Sequence, residues 1–358
     1  MRTATALLLF AATLAAQQNK PSGFTKAADE RVQFYIKQNK FCGTVLVARA
    51  GPPIFQKAYG MANREWDVPN TLDTKFRLGS ITKQFTATLI LHLAEQGKLR
   101  VEDRISKYYT DAPASWSKVT IHNLLTHTSG IPSYTGLPGF FEKESRDPRS
   151  PAEIVKLTQN MPLEFEPGTK FSYDNTGYIL LGYVIEKITG KSYAAYLKET
   201  IFDPLGMHNS GYDEWTPLIH HRASGYRMDG NRVINAAYLD MTLPFAAGSL
   251  YSTVGDLLIW DQALYGENVL TKESKNKMFT PFLEKYGYGW FIDSMGRHKF
   301  VGHGGGINGF NTEIRRFTDD NLTVIVLSNL NTDSVGKLAG DLATLAFGEK
   351  IAAGAGKE

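Results

Sequence analysis

The 358-residue sequence has a single cysteine, Cys42. One thiol closes no internal disulfide and builds no cysteine-ligated zinc site, and Cys42 reads as a small buried strand residue with no catalytic part. Long apolar runs are equally scarce. Beyond the first residues no segment reaches bilayer-spanning length without charges, which excludes a multispanning membrane protein. Excess charge of one sign is also missing. Lys plus Arg number 39 and Asp plus Glu 36, a net +3, without the concentrated basic face that nucleic-acid binding uses. With 42% hydrophobic and 21% charged residues, the chain is neither disordered nor collagen-like but an ordinary globular sequence. Several catalytic signatures are absent: there is no Gly-x-Ser-x-Gly elbow, no His-Glu-x-x-His zinc helix and no Gly-Lys-Ser/Thr phosphate loop. The eight histidines are scattered, and the one adjacent pair, His220-His221, reads as a solvated loop.

What is present begins with an address. Met1-Arg2 gives a positive start and Ala4 to Ala16 is apolar around Leu7-Leu8-Leu9-Phe10. Small residues at Thr13, Ala15 and Ala16 precede the polar Gln17-Gln18-Asn19-Lys20. That order is a secretory signal with a cleavage site, too short for a comfortable membrane span. The expectation is a signal peptide over residues 1–16, export to the periplasm or extracellular space, and no transmembrane span after its removal.

At roughly 100–200 residues per domain the length allows two or three small domains or one composite domain. Helical spacing appears over Phe24 to Lys40 and Phe85 to Gly97. It recurs over Leu181, Val184, Ile185 and Ile188, stopped by Gly190, and over Val335 to Phe347. Strand-like runs are Thr44 to Ala48 and Ile54 to Tyr59, joined as a hairpin at Gly51-Pro52-Pro53. Further strand-like runs are Gly289 to Ile292, Lys299 to Val301, Asn311 to Phe317 and Leu322 to Leu327. Strands thus open and close the chain while helices fill its middle. The expected fold class is α/β (α+β): an antiparallel sheet built from both chain ends, flanked by helices, with a mainly helical region inserted and the active site between them. Residues 17–78 and 246–358 would form the sheet region and 79–245 the helical one, together one domain.

Ser-x-x-Lys occurs four times, at Ser80/Lys83, Ser115/Lys118, Ser274/Lys277 and Ser334/Lys337. Context separates them. Ser115 lies outside any helical period, Ser274 in a polar run read as a solvated face, and Ser334 at a helix start where capping suffices. Ser80 instead ends an extended stretch and starts the long apolar helix. A serine hydroxyl needs a base, residues three apart share a helix face, and a buried lysine can lose its proton near neutrality. Tyr173-Asp174-Asn175 is the one Tyr-x-Asn. A tyrosine there can shuttle protons and Asn175 can both donate to and accept from a substrate amide, although packing and helix capping would also account for them. His303-Gly304-Gly305 stands at the end of a strand, where glycines let a substrate backbone approach and Gly306 offers a free N–H, or where a glycine-rich turn simply reverses the chain.

Together and in this order, the three elements resemble those of the serine β-lactamase and penicillin-binding-protein superfamily, Ser-x-x-Lys, Tyr-x-Asn and Lys-Thr-Gly, and most of all its class C β-lactamase-like branch. Leu124-Leu125-Thr126-His127-Thr128-Ser129-Gly130, Pro204-Leu205-Gly206-Met207 and Gly248-Ser249-Leu250-Tyr251-Ser252 are similar to that branch too and read as scaffold. The resemblance spans roughly residues 24 to 347. It implies an acyl-enzyme mechanism without metal or organic cofactor. Ser80 would be the nucleophile, Lys83 and Tyr173 its proton acceptors, and the N–H groups of Ser80 and Gly306 the oxyanion hole. Asn175, His303, Gly304 and Gly305 would contact a small-molecule or peptide substrate. Which of Lys83 and Tyr173 is the formal base stays open. The third motif departs from Lys-Thr-Gly: branch members with histidine there include D-amino-acid-specific peptidases and esterases. The expected activity is therefore hydrolysis of amide or ester bonds in D-amino-acid peptides or small esters. The alternatives are a class C-type β-lactamase or a slow-turnover penicillin-binding sensor. Loops such as Tyr134 to Phe141 would wall the pocket.

Overall fold

The computed structural model describes residues 21–351, so the signal reading over 1–16 lies outside the described residues. The chain enters through helix α1 (Phe24–Lys37), which ends three residues before the sequence periodicity suggests because Asn39 turns left-handed at φ 54°. Strands β1 (Gly43–Arg49) and β2 (Pro53–Tyr59) follow as an antiparallel hairpin. Near the other end come β3 (Phe291–Met295), β4 (His298–Ile307), β5 (Phe310–Phe317) and β6 (Leu322–Ser328). They form one six-stranded antiparallel sheet in the order β3-β4-β5-β6-β1-β2. The two chain ends meet at β1 and β6, where Val45 pairs with Val326 and Leu46 with Ile325.

Both faces of this sheet are covered, which explains why β1 and β6 read as nearly unbroken apolar runs. Val45, Val47, Val324 and Val326 point to one side, against Val32 and Tyr35 of α1 and Leu338 and Leu342 of the last helix, Val335–Ala346. Arg31 and Tyr35 both donate to Asp341 at 2.7 Å and tie those two helices together. Leu46, Ile325 and Leu327 point to the other side and join the larger core beneath the inserted region. Each fully buried Val or Leu contributes about 1.5–3 kcal/mol relative to exposure.

The inserted region is built on α2 (Thr82–Glu95) and α3 (Asn175–Thr189), and Gly190 ends α3 at φ 67°. In and beside it lie short strands that carry no clear sequence pattern. Phe76–Arg77 and Gly211–Tyr212 flank Leu250–Ser252 in a small sheet, and Tyr226–Asp229 pairs with Arg232–Asn235. Among the described residues no helix is long and apolar enough to cross a membrane. Cys42 sits just ahead of β1, buried, with its sulfur near the carbonyls of Met61 and Tyr59. Burial pushes its thiol pKa up, which leaves it unreactive.

Candidate active site

Ser80 lies in a tight 3-10 turn, Gly79–Ile81, that feeds straight into α2. The turn is clamped from two sides. The Leu78 carbonyl accepts the Thr312 hydroxyl of β5 at 2.7 Å, and the Leu78 N–H donates to Leu250 O at 2.7 Å. Gly79 has φ 55°, and a Cβ there would stand 2.9 Å from the Gly306 nitrogen. Only glycine combines that conformation with that approach, and the approach brings β4 against the serine turn. Ser80 and Gly306 both line an open cleft of about 320 Å³, with Tyr134, Thr135, Phe140 and Phe141 on its wall.

Lys83, the second residue of α2, is fully buried. Its Nζ has three partners: Asn175 Oδ1 at 2.8 Å, Ala247 O at 3.0 Å and Ser80 Oγ at 3.1 Å. Burial pushes its pKa down to about 7, opposed by the charge of Asp174. A neutral amine has two N–H donors and one lone pair. The Asn175 Oδ1 and the Ala247 carbonyl can only accept, so in the neutral amine they take both hydrogens and leave the lone pair for the Ser80 hydroxyl. This is the arrangement of a base waiting for a proton.

Tyr173 lies over the same amine, its ring centre 4.8 Å from Lys83 Nζ. Its hydroxyl is buried without a fully formed hydrogen bond, although Ser80 is close enough to favour the ionised form. Burial prevails and pushes the phenol pKa well above its ordinary value. Tyr173 is thus held as a neutral phenol beside Lys83, whose pKa burial pushes down to about 7.

Asn175 is the first residue of α3, and it does not cap the helix. Asp174 does, accepting from the Gly177 N–H at 3.0 Å. The Asn175 amide is already engaged at both ends, by Lys83 and by the Thr135 hydroxyl at 3.0 Å. It lines the cleft, but in this state it holds Lys83 rather than offering a free amide to substrate.

The third motif also differs from its sequence reading. The strand does not stop near Val301: β4 runs through to Ile307, so the glycines are strand residues and not a turn. His303 is buried behind the cleft. Its Nδ1 must donate to the Gly304 carbonyl at 2.6 Å, so its Nε2 accepts from the Tyr286 hydroxyl at 3.0 Å. Burial and the Lys83 charge push its pKa down to about 3, and the ring is neutral, 6.2 Å from that of Tyr173. A Cβ on Gly305 would meet Leu78 O at 1.9 Å, so this glycine serves the close packing of β4 on the serine turn. Of the four residues from 303 to 306, only Gly306 lines the cleft.

His127, in the segment that reads as scaffold, packs directly against this machinery. Left-handed at φ 56°, it accepts the Asp174 N–H on Nδ1 at 3.0 Å and receives the Ser172 N–H on its carbonyl. Its ring packs 4.2 Å from that of Tyr173. The Ala247 carbonyl gave no signal, since backbone acceptors carry no residue signature. The other serine-lysine copies are elsewhere. Lys118 pairs with exposed Glu166 and Lys277 with Glu273. Ser274 is buried in a helix, not on a solvated face, and the Ser334 side chain makes no capping hydrogen bond.

The Beta-lactamase family matches residues 24–346. The chain belongs to that family. Penicillin-binding protein 4* of Bacillus subtilis is 34% identical over 322 residues, covering 83% of this chain and 70% of that protein. The penicillin binding protein from Bacillus halodurans superposes with a TM-score of 0.79 at 30% identity, over 88% of this chain and 97% of that one. The D-stereospecific amidohydrolase from Streptomyces sp. superposes with a TM-score of 0.76 at 25% identity, over 88% and 97%. The protein is a serine hydrolase with the mixed, antiparallel-sheet fold of these relatives.

Proposed function

We propose that the protein is an exported acyl-enzyme hydrolase of neutral D-amino-acid amides, D-peptides or small esters, with Ser80 as nucleophile. The observation that carries this reading is the buried Lys83 amine, 3.1 Å from Ser80 Oγ and pushed down by burial to a pKa of about 7. Lys83 accepts the Ser80 proton as Oγ attacks the carbonyl carbon. The tetrahedral oxyanion is held by the N–H groups of Ser80 and Gly306, each such donor being worth about 10²–10³ in rate. Tyr173 gives its proton to the departing amine or alcohol and is reprotonated from Lys83. Water then repeats the sequence: Lys83 takes its proton, hydroxide attacks the acyl carbon, and Ser80 leaves with a proton returned through Tyr173.

The substrate class follows from position 303. In the Lys-Thr-Gly motif of β-lactamases a permanent cation and a hydroxyl stand where this chain has a buried, neutral imidazole and Gly304. A carboxylate at that point finds no charged partner, whereas a neutral amide or ester loses nothing. The Streptomyces relative, named for D-stereospecific amide hydrolysis, supports the same direction. Export rests on the signal pattern of residues 1–16 alone.

Steady-state kinetics on p-nitrophenyl short-chain esters, D-amino-acid amides and benzylpenicillin test the reading. The expected result is a higher kcat/KM for at least one ester or D-amide than for benzylpenicillin. A preference for benzylpenicillin over every ester and amide would contradict it.

A further inference from the structure

A second groove, of about 370 Å³, adjoins the active-site cleft and shares Leu239 and Asn308 with it. Its wall carries two arginines, Arg77 and Arg222, and no acidic residue. Arg77 stands three positions before Ser80, on the Phe76–Arg77 strand. Both guanidiniums are held from behind by one carboxylate: Arg77 Nε and Arg222 Nη1 each donate to Asp213 at 2.6 Å. The Asp213 side chain is 1% exposed, whereas that of Arg222 is 27% exposed. One buried negative charge therefore orients two positive ones. Two guanidiniums thus share the one Asp213 carboxylate. A further carboxylate, Asp240, stands beside the other wall and accepts from the Tyr238 hydroxyl at 3.3 Å. Each guanidinium has further N–H donors beyond the one spent on Asp213.

The other wall is aromatic. Trp215 and Tyr238 stack at 5.2 Å although both are among the large hydrophobic side chains most open to solvent. The Arg222 guanidinium lies 5.8 Å from the Trp215 ring. Paired, exposed rings beside a pre-oriented guanidinium pair form a rigid surface that needs little reordering to bind.

We propose that this groove is a substrate subsite that binds a carboxylate of a peptide substrate, away from the scissile bond, on Arg77 and Arg222, with Trp215 and Tyr238 packing the adjoining chain. The subsite rests on the hydrolase reading and, among its peptide substrates, favours those that carry a carboxylate remote from the scissile bond. The reacting centre stays neutral and the charge recognition is moved along the cleft.

The test uses matched D-amino-acid peptide amides with blocked ends that differ only by Glu or Gln two residues from the scissile bond, on either side. For the wild type, one of the two Glu placements is expected to raise kcat/KM about tenfold over Gln, and added salt to shrink that ratio. Arg222→Gln and the exposed Trp215→Ala, each checked for an unchanged circular dichroism spectrum, are expected to bring the ratio toward one. A wild-type ratio of one on both sides, or a ratio untouched by Arg222→Gln, overturns the subsite. Binding of the same peptides to Ser80→Ala, read by tryptophan fluorescence, separates the two claims. A Glu preference that depends on Arg222 in binding, without peptide hydrolysis by the wild type, upholds the subsite and sinks the hydrolase reading. Hydrolysis without preference does the reverse, and neither binding nor hydrolysis of any Glu peptide overturns the subsite.

Discussion

Burial sets the protonation state of Lys83, and the Asn175 Oδ1 and Ala247 carbonyl set its aim by taking two of its hydrogens. Activity should therefore rise with pH through about 7 as Lys83 loses its proton. Asp174 modulates that limb. Its negative charge holds the Lys83 pKa up, and burial raises its own pKa to about 7. Asp174→Asn keeps an acceptor for the Gly177 N–H and removes the charge, so Lys83 should lose its proton more easily. The acid limb of kcat/KM is then expected to move to lower pH, and a limb that stays or moves upward would contradict the coupling. Tyr173→Phe removes the one group assigned to protonate the leaving group while keeping the ring over Lys83. Turnover is expected to fall about 10²–10⁴-fold with a smaller change in KM, and an unchanged kcat would remove Tyr173 from proton transfer. At this scale the sequence showed which residue types stand near each other. It did not show protonation states, because burial decides those: Tyr173 and His303 are neutral for that reason.

The serine turn and β4 are one mechanical unit. Gly79 and Gly305 exist at their contact because any Cβ would force the two apart. The same comparison distinguishes two glycines of the third motif. A Cβ on Gly305 collides with the Leu78 carbonyl at 1.9 Å, whereas on Gly304 its nearest atom is the far end of the Glu313 side chain at 2.9 Å, which can move. Gly305→Ala is expected to cost about 1–3 kcal/mol and to displace Ser80, lowering both the melting temperature and kcat. Gly304→Ala should cost less on both counts, and equal losses would contradict this account of the contact. The sequence reading took these glycines as room for substrate. Period-2 patterning fails where side chains vanish, so β4 appeared to stop at Val301 although it continues through the glycines to Ile307.

Joining the two chain ends into one sheet is what sets the cleft between that sheet and the inserted helices. This much was legible, because β1 and β6 are apolar on both faces and the middle carries helical spacing. The short strands in and beside the inserted region were not: two to four residues each, they are fixed by tertiary pairing rather than by any local pattern. Nor was the convergence of Arg77, Asp213 and Arg222, separated in sequence by 136 and 9 positions. The four Ser-x-x-Lys copies could be ranked only by context, and the fold gives that ranking a physical basis by burying one lysine against its serine and leaving Lys118 and Lys277 in surface ion pairs. The most direct test of the whole account is intact-mass and peptide-level mass spectrometry after fluorophosphonate labelling of wild type and Ser80→Ala. The account predicts one adduct, on the peptide carrying Ser80, and none in a folded Ser80→Ala protein. An adduct on Ser115, Ser274 or Ser334, or labelling that survives in Ser80→Ala, would contradict it.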